Sequence, residues 1–452
     1  MKATTFSNNL NHYLAMTQPM TQSITQLIHH PYVPPAGFAA PQTGVHKAST
    51  VFFDNVAAMR TREWKDKSGY TYGLHGTPTT FILEERMATL EGGLQCVLLP
   101  SGLAAITSVD LALLKTGDEV LLPHNVYGAR KAFVEGELAN FGITHRYYDA
   151  MDAADLAAKI TDKTTLVWCE APGSVTMEFP DLIGLVKACK ARGVLCALDN
   201  TWGAGLAFNA FDLDGQGSGK GLGVDISMQA MTKYPSGGGD VLMGSVVTRD
   251  EALHQKIKLS HMRIGFGVAA NDAELVLRNL PSILLRYKAH DDAARTLAAW
   301  LQTRPEVEVV LHPALAGSPG HAHWKSLQNS AEDQAVYAQA ATNSIANLTT
   351  NATSNHAPRG LAAGLFSIVF KEQYSIAQVD AFCDALKLFK LGYSWGGHVS
   401  LVVPYDISSM RDPKVSHWPY RGVLVRFSIG LEDVRDLQAD LTQALKQAMG
   451  KL

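Results

Sequence analysis

The chain is 452 residues long, 46% hydrophobic and 18% charged, with a formal net charge of −3. That length favours two domains, or one large domain with a smaller one appended, and the near-neutral charge gives no reason to expect nucleic acid or an anionic membrane as partner. No run approaches the roughly twenty apolar residues of a membrane span, and five widely spaced cysteines in apolar surroundings, with no C-x-x-C pair, indicate reduced core thiols in a cytoplasmic enzyme.

The first forty or so residues are rich in Thr, Gln, Asn and Pro and carry no signal pattern, which predicts an extended arm. A β-prone run follows at Val45–Phe53, then a Gly- and Pro-punctuated loop, Tyr70 to Phe81, in which Tyr72 taken alone is an ordinary loop aromatic. The loop leads into a helix over Phe81–Leu90 that stops at Gly92-Gly93. Next come a strand at Cys96–Pro100, a turn at Ser101-Gly102 and a helix from Leu103. Free amides and the favourable dipole end at such a helix start suit a phosphate, although many such turns bind nothing. A strand at Glu119–Pro123 runs into Asn125-Val-Tyr127, with a helix from about Gly128. Strands at Thr165–Glu170 and Gly193–Asp199 also end in polar groups, and a terminal aspartate there needs a cation or a donor if it is buried. The apolar run from Val224 ends abruptly in Thr232-Lys233-Tyr234 and then glycine. A lysine just past a buried strand can be desolvated and made nucleophilic, though most strand-end lysines are simply solvated.

Near-continuous apolar strands separated by helix-length segments predict a mainly parallel sheet covered on both faces, with its carboxyl ends along one edge. That edge would gather Ser101-Gly102, Tyr127, Asp199 and Lys233. An anion cradle, an aromatic plate, a carboxylate and a lysine are the set that pyridoxal 5'-phosphate requires. Further on, strands at Val307–Val310, Gly364–Phe370, Leu401–Val403 and Leu424–Ile429, with helices at Ile376–Leu386 and Leu431–Met449, predict a smaller α+β domain. His321 and His323 stand two apart on a predicted loop without a partner cluster, so no metal is expected. His290 falls on an amphipathic helix as a packed or capping residue. Residues 214–223 and about 326–359 read as polar surface insertions.

The ordered set Tyr72-Gly-Leu-His-Gly-Thr-Pro-Thr79, Leu90-Glu-Gly-Gly93, Ser101-Gly102, Glu170-Ala-Pro-Gly-Ser-Val-Thr-Met-Glu178, Asp199-Asn-Thr-Trp202, Ala230-Met-Thr-Lys-Tyr234, His312-Pro-Ala-Leu315, Tyr393-Ser-Trp-Gly-Gly397 and Arg426-Phe-Ser-Ile-Gly-Leu-Glu-Asp-Val434 resembles the Cys/Met-metabolism family of pyridoxal-phosphate enzymes. The resemblance implies the α/β fold of type I pyridoxal-phosphate enzymes, the aspartate-aminotransferase-like architecture. Its parts would be a large domain with a mainly parallel seven-stranded sheet and a smaller C-terminal α+β domain. It implies an arm over 1–74, a cofactor-binding domain over 75–278 and a small domain over 279–452. Lys233 would hold the cofactor and act with Tyr127 in catalysis. Asp199 would meet the ring nitrogen and Tyr127 the ring face, while Gly102, Leu103 and Thr232 would hold the phosphate. Tyr72 would reach the phosphate of a neighbouring subunit. Arg426, Ser394, Trp395 and Tyr127 would bind the substrate. The expected partner is a small sulfur amino acid, in a homo-oligomer, most simply a homotetramer built as a dimer of dimers. The expected reaction is β-elimination of L-cystathionine to homocysteine, pyruvate and ammonia. A γ-lyase or γ-synthase, a cysteine or cystine lyase, and a catalytically idle cofactor binder are the alternatives. Leu74, Ala230 and Val399 depart from residues common in the family, respectively Arg, Ser and Glu.

Overall fold

The computed structural model describes residues 37, 40–65, 67–216, 221–329 and 360–450. The chain divides into two compact units, Met1–Thr43 and Gly44–Leu452, and every element below lies in the second.

Seven strands form the larger sheet: β1 Gln95–Leu99, β2 Glu119–Pro123, β3 Thr144–Tyr148, β4 Thr164–Glu170, β5 Leu195–Asp199, β6 Ile226–Ala230 and β7 Gly244–Thr248. Their order is β1-β7-β6-β5-β4-β2-β3. Only β7 runs antiparallel to its neighbours, β1 and β6; the remaining pairs are parallel. The carboxyl ends of β1, β2, β4, β5 and β6 therefore share one edge. Alternate residues feed two buried clusters, Val97, Leu99, Leu122 and Trp168 on one face and Cys96, Leu98, Leu121 and Cys169 on the other. Burial on both faces accounts for the unbroken apolar runs.

Five strands form the second sheet, in the order β10-β11-β12-β9-β8: β8 Val307–Leu311, β9 Leu365–Phe370, β10 Lys390–Leu391, β11 Leu401–Tyr405 and β12 Leu424–Ser428. Phe366, Phe370 and Phe427 pack there with Phe382 of the helix Ile376–Ala385 and with Leu437 and Leu441 of the helix Val434–Met449. Each such side chain contributes ~1.5–3 kcal/mol by leaving water.

Several expectations need correction. Val45–Phe53 forms no strand; it is held by scattered contacts such as Gly73 N–H to the Ser49 carbonyl at 2.8 Å. β propensity expresses fit to a pleated, half-buried surface, and this run is mostly exposed. The edge strand β3 and the antiparallel β7 escaped the reading. His321 and His323 lie on a short helix, His321–Ser326, and not on a loop; His321 Nδ1 lies 2.8 Å from the Pro313 carbonyl. No cluster of metal-binding side chains occurs among the described residues. His290 is buried inside the helix Ile283–Leu301, its Nδ1 against the Ile429 carbonyl. All five cysteines are free and buried. No helix among the described residues is long and apolar enough to cross a membrane. Of the two insertions, residues 217–220 and 330–359 lie outside the described residues.

Candidate active site

A cavity of about 660 Å³ opens at the shared strand edge. Ser101 caps the helix Gly102–Leu113, its hydroxyl accepting from Ala104 N–H at 3.0 Å. The first amides of that helix, Gly102 and Leu103, belong to cavity-lining residues. Gly102 has no room for a side chain: a Cβ there would stand 2.5 Å from the Ala230 Cβ, at the end of β6. The helix start thus lies directly against the strand that leads to Lys233. Thr232, two residues beyond β6, also lines the cavity, its hydroxyl exchanging 3.3 Å hydrogen bonds with the backbone of Met243.

Lys233 reaches into the same space. Its Nζ donates to Ser394 Oγ at 3.1 Å and stands 4.6 Å from the centre of the Trp395 ring. Burial, and then the nearby positive charge of Arg426, lower its pKa to about 8, against the opposing pull of Asp199. Asp199 closes β5, and its Oδ1 accepts from Thr201 N–H at 3.0 Å. Burial raises its carboxyl, while Thr201, Arg130 and Lys233 counter that shift. Tyr127 precedes the helix Gly128–Phe133 and remains half-exposed toward the cavity.

Arg426 enters from β12. It is 5% exposed, donates from Nη1 to the Ser174 carbonyl at 2.9 Å, and lies 5.2 and 5.3 Å from the Trp395 and Tyr405 ring centres. No carboxylate stands within ion-pair distance of it among the described residues. A buried cation without a counter-ion calls for an anion from outside the chain.

The structure therefore brings Gly102, Leu103, Tyr127, Asp199, Thr232, Lys233, Ser394, Trp395 and Arg426 to one cavity. Tyr72 is not among its lining residues and is 44% exposed. Lining residues to which the sequence assigned no role include Glu170, His124, Tyr405 and Arg411. The Glu170 carboxylate accepts from Tyr127 and Ser174 backbone N–H groups; burial and the Asp199 charge raise its pKa, and those donors oppose the rise. His124 Nε2 accepts from Asp412 N–H at 2.7 Å, and burial, followed by Lys131 and Arg411, lowers its pKa to about 4. Arg411 pairs with Glu178 and donates to Thr176 Oγ1 at 2.8 Å. Only Glu170 carried a sequence signal, as the polar end of an apolar strand.

A lysine of depressed basicity, a carboxylate at the next strand end, a half-exposed aromatic and helix-start amides against a cradle too tight for a Cβ fit pyridoxal phosphate, and the unpaired Arg426 fits an amino-acid carboxylate. Fold and site together define a pyridoxal-phosphate-dependent enzyme of the aspartate-aminotransferase-like architecture.

Comparison with known proteins narrows the class. The profile described as Cys/Met metabolism PLP-dependent enzyme matches residues 24–337 and 346–446, and the chain belongs to that family. It is 34% identical over 404 residues to cystathionine beta-lyase of Salmonella typhimurium, covering 88% of this chain and 91% of that one. It is 32% identical over 423 residues to cystathionine beta-lyase MetC of Escherichia coli, covering 92% and 96%. Among solved structures, cystathionine gamma synthase of Xanthomonas oryzae pv. oryzae in complex with cystathionine is similar at a TM-score of 0.75 and 27% identity, covering 92% of this chain and 96% of that one.

Proposed function

We propose that the chain is a carbon–sulfur β-lyase that cleaves L-cystathionine to homocysteine, pyruvate and ammonia. The observation that carries the reading is the pairing, in one cavity, of a lysine whose pKa is lowered to about 8 with a buried arginine that has no carboxylate partner among the described residues. Arg426 takes the substrate carboxylate with its planar fork, which a lysine would match poorly. Neutral Lys233 removes the proton from the substrate Cα; its pKa close to the working pH suits a general base. When bound, pyridoxal phosphate supplies an acceptor for the electron pair left on Cα, and Asp199 holds the ring-nitrogen proton that makes it one. Gly102, Leu103 and Thr232 would hold its phosphate, and Tyr127 would lie against its ring. Departure of the thiolate breaks the bond between Cβ and sulfur, and water converts the remaining three-carbon fragment to pyruvate and ammonia.

Likeness to the two β-lyases supports this assignment, while likeness to a γ-synthase keeps γ-chemistry as the second reading. The test is the 2-oxo acid released from L-cystathionine by the protein loaded with pyridoxal phosphate. Pyruvate is expected; 2-oxobutyrate would transfer the assignment to a γ-lyase, and no turnover of any sulfur amino acid would leave a cofactor binder.

We further infer a homo-oligomer, most simply a homotetramer, in which Tyr72 serves a neighbouring subunit's phosphate. Its exposure away from the cavity supports this, as does a neighbouring apolar surface with Phe52 94% exposed. Five free, buried thiols support a reducing compartment, the cytoplasm. Division into an arm, a cofactor domain over 75–278 and a small domain over 279–452 belongs to the same proposal.

A further inference from the structure

Glu170 ends β4 in Cα register with Asp199 at the end of β5; Glu170 is buried and Asp199 partly so. Two carboxyl groups side by side at one sheet edge disfavour each other's charge, so Glu170 needs compensating donors. Two backbone groups provide them. Tyr127 N–H donates to Oε2 at 2.9 Å, from 43 residues away, and Ser174 N–H donates to Oε1 at 3.0 Å. The carbonyl of the same Ser174 accepts from Arg426 Nη1 at 2.9 Å, across 252 residues. One side chain thus links the turn after β2, the loop after β4 and, through a single residue, β12 of the other sheet.

Other anchoring at both ends is local backbone bonding: the Tyr127 carbonyl accepts from Arg130 N–H at 3.0 Å, and the Arg426 backbone is paired within its sheet. Tyr127 precedes its helix without any side-chain cap. Arg426 has flanking rings, but the Ser174 carbonyl is its hydrogen-bond acceptor among the described residues. We infer that Glu170 is a positioning residue: with one oxygen on the Tyr127 backbone and the other on Ser174, it sets the Tyr127 ring and the Arg426 guanidinium at a fixed separation across the cavity. The inference rests on reading that cavity as the site of pyridoxal phosphate and an amino-acid carboxylate. Small displacements of such groups are costly to binding and rate, because the reacting geometry tolerates little error.

Glu170→Gln preserves shape but leaves a single acceptor oxygen for two N–H donors. The test compares four holoenzymes, wild type, E170Q, R426K and the double variant, by titration with glycine followed through the visible absorbance of the bound cofactor. E170Q is expected to weaken glycine about tenfold, and by less than about threefold when R426K is already present, since residues acting through one another are not additive. An E170Q affinity within about twofold of wild type, or a full tenfold loss persisting in the R426K background, overturns the inference. Glycine has no leaving group, so wild type that binds glycine but cleaves no sulfur amino acid refutes the lyase reading and leaves this one standing. A second measurement needs no variant: the Tyr127 and Ser174 amides of the wild-type holoenzyme should exchange slowly with deuterium, and fast exchange at either overturns the role.

Discussion

Lys233 Nζ donates to Ser394 Oγ at 3.1 Å, joining the end of β6 to a segment 161 residues later in the chain. The bond holds the amine toward the cavity and over the Trp395 ring, 4.6 Å from its centre. An ammonium there is poorly solvated, which is why burial is the largest cause of its lowered pKa.

Lys233→Ala should reduce turnover of L-cystathionine by at least about 10²–10⁴-fold, the usual contribution of a general base. The protein should still bind pyridoxal phosphate through its phosphate contacts. Steady-state kinetics and cofactor titration check both halves, and near-normal turnover would remove Lys233 from the mechanism.

The same lysine makes the stability of the cofactor-free protein depend on pH. Its folded pKa, about 8, lies below the ordinary 10.5. Between those values the unfolded chain binds more protons than the folded one, so this group's contribution to stability rises with pH across that window. Below pH 8 the cost of burying the charge is fully present. Lys233→Met should therefore raise the melting temperature at pH 7, and the advantage should shrink as pH approaches 10.5. Parallel melting curves for the two proteins at both pH values would contradict the assigned burial cost.

The positions of Tyr127, Asp199 and Lys233 were legible because each ends or closely follows an apolar run, and a parallel sheet sends such ends to one edge. Arg426 was legible through resemblance, since an arginine inside an apolar strand identifies no partner by itself. Links made across long stretches of chain were not legible. Nothing in Glu170 distinguishes it from other polar strand ends until the Tyr127 and Ser174 amides arrive from two loops. Arg411 looks like a surface residue until the chain returns it to Glu178. Val45–Phe53 misled in the opposite sense, because β propensity measures fit to a pleated, half-buried surface and this run is mostly exposed.

Asp110 and Arg130 form a buried pair at 3.1 Å beneath the site, with Arg130 stacked 3.8 Å from the Trp168 ring centre and Trp168 Nε1 donating to Asp110 at 2.8 Å. Asp110→Ala strands a buried cation, and should cost about 3–5 kcal/mol. Replacing both partners with apolar residues of similar volume should recover much of that loss. Denaturant unfolding of the two variants measures the difference, and a cost below ~1 kcal/mol for D110A would show that the pair relaxes into solvent.

Gly102 and Ala230 set how closely the helix start approaches β6. A Cβ at Gly102 would stand 2.5 Å from the Ala230 Cβ and 3.0 Å from its Cα. Ala230 cannot readily retreat, because its N–H donates to Thr201 Oγ1 at 2.9 Å and its strand is paired on both sides. Gly102→Ala should therefore push the helix start outward, moving the amides of Gly102 and Leu103 away from the phosphate position. Affinity for pyridoxal phosphate should fall by about tenfold, the equivalent of one hydrogen bond to a charged group. Ala230→Gly, added to G102A, removes the obstructing methyl and should restore most of the loss, although its effect alone should be small. Titration of the cofactor-free proteins with pyridoxal phosphate reads all three cases. If G102A binds as wild type does, the phosphate is not held at this helix start, and if A230G brings no recovery, the contact between the two residues is not what positions it.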